Sequence, residues 1–155
     1  MALAGLSSLG VTFGYGVETT AGTKPTSFTK LTRINSIGGI SADPDVIDAS
    51  ALEDLVQKNI AGRTSITDSI AIDVNLTPET QTEWEGVISA YNGLSGGKQM
   101  WFEVIIEGMT KSFFFIAQPP QILPMSDMGQ NELLIMTINL VVADYKGLDT
   151  KVAFS

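Results

Sequence analysis

The sequence predicts a mainly β protein with one flanking α-helix, arranged as a two-layer β-sandwich or a partly closed barrel. Three observations carry this. Apolar and polar residues alternate over 66–76 and 99–106, the signature of half-buried strands. One segment only, after Thr77, has helical spacing. Residues 131–143 form a long apolar run that reads as a strand.

The elements follow in order. Residues 1–29 are rich in Gly, Ser and Thr, and read as an extended N-terminal arm with a short strand at 11–17. Residues 30–40 read as a strand ending at Gly38-Gly39. Residues 41–65 are polar, with apolar interruptions at Val46-Ile47 and Leu55-Val56. They fit a long excursion or hairpin better than core, and long ordered excursions usually have a function. In 66–76, Ile66, Ile70, Ile72, Val74 and Leu76 share one face, broken by Asp68; Ala71 and Asp73 lie on the other.

The helix has its own start signals. Thr77 caps it, Pro78 suits the first helical position, and Glu79 favours the positive end of the dipole. Trp84, Val87, Ile88 and Tyr91 make one stripe, most simply core, and Asn92-Gly93 and Gly96-Gly97 stop the helix. In 99–106, Met100, Phe102, Val104 and Ile106 point inward, and Gln99, Trp101 and Glu103 outward. Residues 107–110 turn the chain into a strand at 111–118, which Pro119-Pro120 ends. A short strand is expected at 122–125 and a turn at 127–129. The run 131–143 would span roughly 43 Å as a strand. It places Leu134, Met136, Ile138, Leu140 and Val142 on one face, with Leu133, Ile135, Val141 and Ala143 on the other. A strand apolar on both faces needs cover on both, from a second layer or from neighbouring subunits. Residues 144–155 read as a tail.

Composition narrows the function. The 155 residues suit a single domain. Cysteine and histidine are absent, so disulfides, Ser-His-Asp and Cys-His nucleophile systems cannot be built. Nine basic residues face 17 acidic ones, a net charge of −8. Such a surface stays soluble and avoids adhering to nucleic acid. The first residues make a poor signal peptide, and no apolar stretch approaches the ~20 residues of a membrane span. Synthesis in the cytoplasm and no membrane binding are expected.

Chemical motifs are weak. Asp43, Asp45 and Asp48 resemble half a calcium loop, but Ile47 stands at an oxygen-ligand place. Gly14-Tyr15-Gly16 lacks the third glycine of a dinucleotide loop. Glu83 and Glu85 do not share a helix face. Lys24, Lys30 and Arg33 are too sparse for a nucleic-acid footprint. No catalytic, metal-ligating or cofactor-binding residue is identified, and no cofactor is expected. Trp101 is a candidate subunit contact; the alternative places it under the helix.

The stretch Gly10-Val-Thr-Phe-Gly-Tyr-Gly-Val-Glu-Thr-Thr-Ala-Gly-Thr-Lys-Pro25, followed by Phe28-Thr-Lys-Leu31 and Ile37-Gly-Gly-Ile40, resembles the N-terminal region of major tail proteins (tail tube proteins) of long-tailed phages of Gram-positive bacteria. The order of the remaining segments is similar. The resemblance implies hexameric rings that stack into a hollow tube for DNA ejection, with strands around the lumen and the helix on the flank. It implies that the 41–65 loop, with Asp43, Asp45, Asp48, Glu53 and Asp54, contacts the neighbouring ring, and that arms 1–29 and 144–155 help lock rings together. Partners would be further copies of the chain, other tail proteins (tape measure, tail tip, terminator) and DNA in passage; the location would be the virion tail. An acidic lumen would let DNA slide; which acids face inward is not readable from the sequence, and Asp73, Glu103 and Glu132, which lie on strands, are the candidates. Two rival readings are an inner-tube subunit of a contractile tail or type VI-like secretion system, and a monomeric β-sandwich binding module. An enzyme is not expected.

Overall fold

The computed structural model describes residues 10–53 and 55–154. It is mainly β with one helix, as expected. Seven antiparallel strands form the main sheet: β1 Thr12–Val17, β2 Thr29–Leu31, β3 Ile34–Ile37, β6 Ser69–Asn75, β7 Met100–Ile105, β8 Lys111–Gln118 and β9 Ile135–Thr150. A separate two-stranded sheet holds β4 Ala42–Asp48 and β5 Asn59–Ile66.

The order in the main sheet is β2-β1-β7-β8-β9-β6-β3. Its two edge strands, β2 and β3, are consecutive in sequence and joined only by Thr32 and Arg33. Two residues cannot cross a flat sheet of seven strands, which is ~28 Å wide. The sheet therefore curls until its edges approach, giving a partly closed barrel without a hydrogen-bonded seam. The continuous strand expected over 30–40 divides at this link. Arg33 has φ 59°, a left-handed turn that no strand tolerates. Glu83 of the helix fixes the break by accepting from the Thr32 N–H (3.0 Å) and hydroxyl (2.7 Å).

Helix α1, Pro78–Asn92, has the predicted boundaries. Its cap is reciprocal: the Thr77 hydroxyl accepts from Thr80 N–H, and the Thr80 hydroxyl accepts from Thr77 N–H. This is a capping box with threonine in the usual Glu/Gln place. Trp84 and Val87 are buried against Phe13, Ile72, Val74, Phe102, Phe115, Ile138 and Leu140. Phe13, Phe102 and Phe115 stack with centroids 5.4–6.3 Å apart. The inward faces read from alternation in 66–76 and 131–143 are the buried ones, except Ile66 and Leu76, which are half-buried, and Leu134, which is exposed.

Three segments differ from the sequence reading. Residues 12–17 form an interior strand between β2 and β7, integrating much of the expected arm into the sheet. The long strand runs from Ile135 to Thr150, not over 131–143. Asn131, at φ 57°, turns the chain before it begins. Beyond Val142 the strand continues because β8 offers a ladder as far as Lys111↔Thr150. The residues read as a tail are therefore in large part sheet. No strand forms at 122–125; Pro119, Pro120 and Pro124 lack the N–H groups a ladder needs.

β7 and β8 are covered on both faces. Behind the main core, Phe28, Trp101, Phe114 and Ile116 form a second cluster closed by Val152 and Phe154. Gly14 makes room for this layer, since a Cβ there would lie 2.4 Å from the Phe154 ring and 2.5 Å from the Thr29 carbonyl oxygen.

Candidate functional site

The β4–β5 hairpin projects from the body as its own sheet. Its ladder runs from Ala42↔Ile66 to Asp48↔Asn59. At the root, the Ser41 N–H donates to the Thr67 hydroxyl (2.9 Å) and the Thr67 N–H to the Ser41 carbonyl (3.1 Å). Every residue of β4 is exposed. Val46, Val56 and Ile60 are exposed, and Leu52 and Leu55 near the tip are fully so. An isolated two-stranded hairpin is marginal in water, and exposed apolar side chains grouped in this way mark interaction surfaces.

The acids read on this segment do not converge. Asp45 accepts from the Ser65 hydroxyl (2.6 Å) across the ladder. Asp48 accepts from the Ser50 N–H (2.9 Å), and that bond, with the Ser50 hydroxyl, holds its carboxyl below the usual range. Asp43 and Glu53 are exposed. Asp54 lies outside the described residues. Asp45 and Asp48 brace the hairpin and its turn, while its large apolar side chains stand exposed.

A second uncovered surface lies along 122–141. Ile122, Met125, Met128, Leu133 and Val141 are exposed. Val141 belongs to the outer face of β9, where the sequence demanded cover. Within one chain that face is covered only in part: Ile135 and Thr137 are half-buried, while Asn139, Val141 and Ala143 are exposed.

Trp101 and Glu103 are corrections. Trp101 is 6% exposed. Its ring meets Phe114 at 6.3 Å and its Nε1–H donates to Glu18 (2.9 Å). It lies neither at a free surface nor under the helix. Glu103 has no exposed surface. It accepts from the Ser112 hydroxyl and from the Val152 N–H (3.0 Å). A buried carboxylate cannot present charge to a passing polyanion, so Glu103 holds the back layer down instead. Asp73 accepts from Thr137 (2.8 Å) and Ser36 (3.0 Å), tying β3, β6 and β9 together. Glu132 is exposed in the segment before β9. The three acids are not brought together.

Comparison with known proteins adds to this geometry. No family model matches the chain, and neither does any curated protein. Chains of solved assemblies do, among them the following two. A chain of the anti-feeding prophage (AFP) baseplate, a six-fold symmetrised cryo-EM structure, is 14% identical; the match covers 97% of this chain and 98% of that one, with a TM-score of 0.60. A chain from the tail of an empty GTA particle, refined helically with C6 symmetry, is also 14% identical, over 91% and 95%, with a TM-score of 0.56. The fold is shared over nine-tenths or more of each chain.

Glu18 is a central residue that sequence reasoning missed. It is 2% exposed and accepts from Gly22 N–H (3.2 Å), Gln99 N–H (2.8 Å) and the Trp101 indole. Burial pushes its carboxyl up, but those three hydrogen bonds and the nearby Lys146 charge outweigh it and hold it below its ordinary value. No spacing in a Gly/Thr-rich segment signals such a knot. Glu18→Ala is expected to cost about 2–4 kcal/mol, since it leaves buried donors unpaired. The sign of the pH effect follows. A lowered folded pKa contributes stability above the unfolded value of 4.5, which is lost as pH falls through the folded value. Urea midpoints from pH 7 to 3 should therefore fall less steeply in Glu18→Ala than in the native chain.

Proposed function

We propose that this chain is a structural subunit of a phage-type tail, polymerising as stacked six-fold rings into a hollow conduit for DNA. The observation that carries this reading is the whole-chain fold match to two tail-particle assemblies with six-fold symmetry. The monomer's surface supports it. A body with a full core does not need a protruding apolar hairpin, whereas a subunit that buries it against another copy does. A head-to-tail contact that closes by rotation makes a ring, and repetition along the axis makes a filament.

In this reading the activity is assembly, not catalysis. The 41–65 hairpin bridges rings. The segments 1–29 and 144–155 add contacts at their outer ends, and the tape measure, tail tip and terminator proteins are the heterologous partners. The excess of acid, with Asp73 and Glu132 as lumen candidates, keeps DNA from sticking. The subunit resides in the virion tail.

A second reading is a ring of the baseplate that does not repeat, favoured by the origin of the first neighbour. Negative-stain microscopy of the purified protein, concentrated and mixed with tail-initiating proteins, separates them. Tubes of stacked six-fold rings are expected. Rings that never stack would favour the second reading. A solitary 16.5 kDa globule under all these conditions would refute both.

A further inference from the structure

We propose that residues 151–154 form a latch that opens while the sheet stays folded, and that Glu103 beneath it sets how often it opens. The inference concerns a single chain and stands apart from the tail reading.

The latch begins where the long strand ends. Thr150 makes the last ladder pair of β9, with Lys111. Beyond it the side chains alternate: Val152 and Phe154 are half-buried, Lys151 and Ala153 exposed. Val152 and Phe154 close the cluster of Phe28, Trp101, Phe114 and Ile116, and Phe154 pairs in parallel with Phe28. Their seat is built into the sheet, since Gly14 leaves the room that the Phe154 ring takes. A short segment beyond the ladder, held through alternate side chains, belongs to the part of a fold that opens well before the core.

A carboxylate lies under this latch. Glu103 has no exposed surface. Its Oε2 accepts from the Ser112 hydroxyl and the Val152 N–H. Its Oε1 is buried with no hydrogen-bond partner among the described residues. A buried charge that is only half satisfied favours water over its site. Closing the latch therefore covers two apolar side chains and makes one hydrogen bond, but keeps that oxygen dry. Opening reverses all three. Glu103 both anchors the latch and loosens it, and the open state uncovers part of an aromatic surface that the closed chain hides.

Hydrogen exchange at the Val152 amide, compared with the ladder amides of 136–142, tests this. In the native chain Val152 is expected to exchange faster than the ladder, at a rate that dilute urea leaves unchanged. Glu103→Gln keeps an acceptor for Val152 and removes the charge; it should slow Val152 exchange about tenfold and leave the ladder alone. Phe154→Ser should speed Val152 exchange, again with the ladder unchanged. Exchange of Val152 and the ladder at one common rate overturns the latch, as does a Phe154→Ser variant whose ladder speeds up equally. A Glu103→Gln variant that unfolds, or whose Val152 exchanges as fast as in the native chain or faster, overturns the role of Glu103.

Discussion

Leu140→Asp is expected to abolish the folded chain. Leu140 is fully buried on β9, opposite Ile70 of β6 and within the cluster that contains Trp84, Phe102 and Phe115. Removing a buried leucine side chain costs about 2–5 kcal/mol. Placing an acid there adds at least about 2 kcal/mol, whether it stays charged or takes a proton. The sum approaches the whole stability of a typical domain, on the order of 5–15 kcal/mol. One residue further, Val141 faces out and is 57% exposed. Val141→Asp should change monomer stability by about 0.5 kcal/mol or less. Far-UV circular dichroism with urea titration distinguishes the two variants. Equal tolerance of both would mean that β9 does not present Leu140 to the core.

The contrast between neighbouring residues shows what was legible in the sequence. Alternation identified the inner faces of β6 and β9 because one face meets a core wherever the strand lies. The ends of β9 were not legible. Leu133 and Leu134 look like strand residues, yet both are exposed and precede β9, which begins at Ile135 after a left-handed turn at Asn131. Asp144, Lys146 and Asp149 look like a solvated tail, yet a facing strand at 111–118 keeps their backbone in the sheet. The helix was the clearest element because its signals are local: a capping threonine, a proline and a stripe containing Trp84 and Val87. Trp101 and Glu103 misled for the opposite reason. Their cover comes from Phe28 and from 152–154, too distant in sequence for any periodicity to reveal. At the candidate site, the polar composition of 41–65 marks a hairpin, but the side chains that stand out in it are acids. The exposed leucines became conspicuous only once the ladder placed them at a tip with no core beneath.

Replacing Leu52, Leu55 and Val56 together by serine should leave the monomer intact and remove its ability to elongate. All three are exposed, so each change should alter the unfolding midpoint little. In the proposed assembly each would be buried once per contact, at about 1.5 kcal/mol or more apiece. Three such losses total about 4.5 kcal/mol, which raises the concentration needed for polymerisation by roughly a thousandfold. The expected result is a native-like melting curve with no tubes at concentrations where the native chain forms them, measured by sedimentation and microscopy. Excising 42–66 and joining Ser41 to Thr67 through an Asn-Gly turn should have the same effect, because the Ser41–Thr67 hydrogen bonds already close the root. Normal tubes from either variant would show that the hairpin contributes nothing to the contact between rings. A collapsed melting temperature in the triple-serine variant would instead show that the tip is packed within the monomer, contrary to the exposure of Leu52 and Leu55. Only loss of elongation with retained stability fits a surface whose apolar area is reserved for another copy.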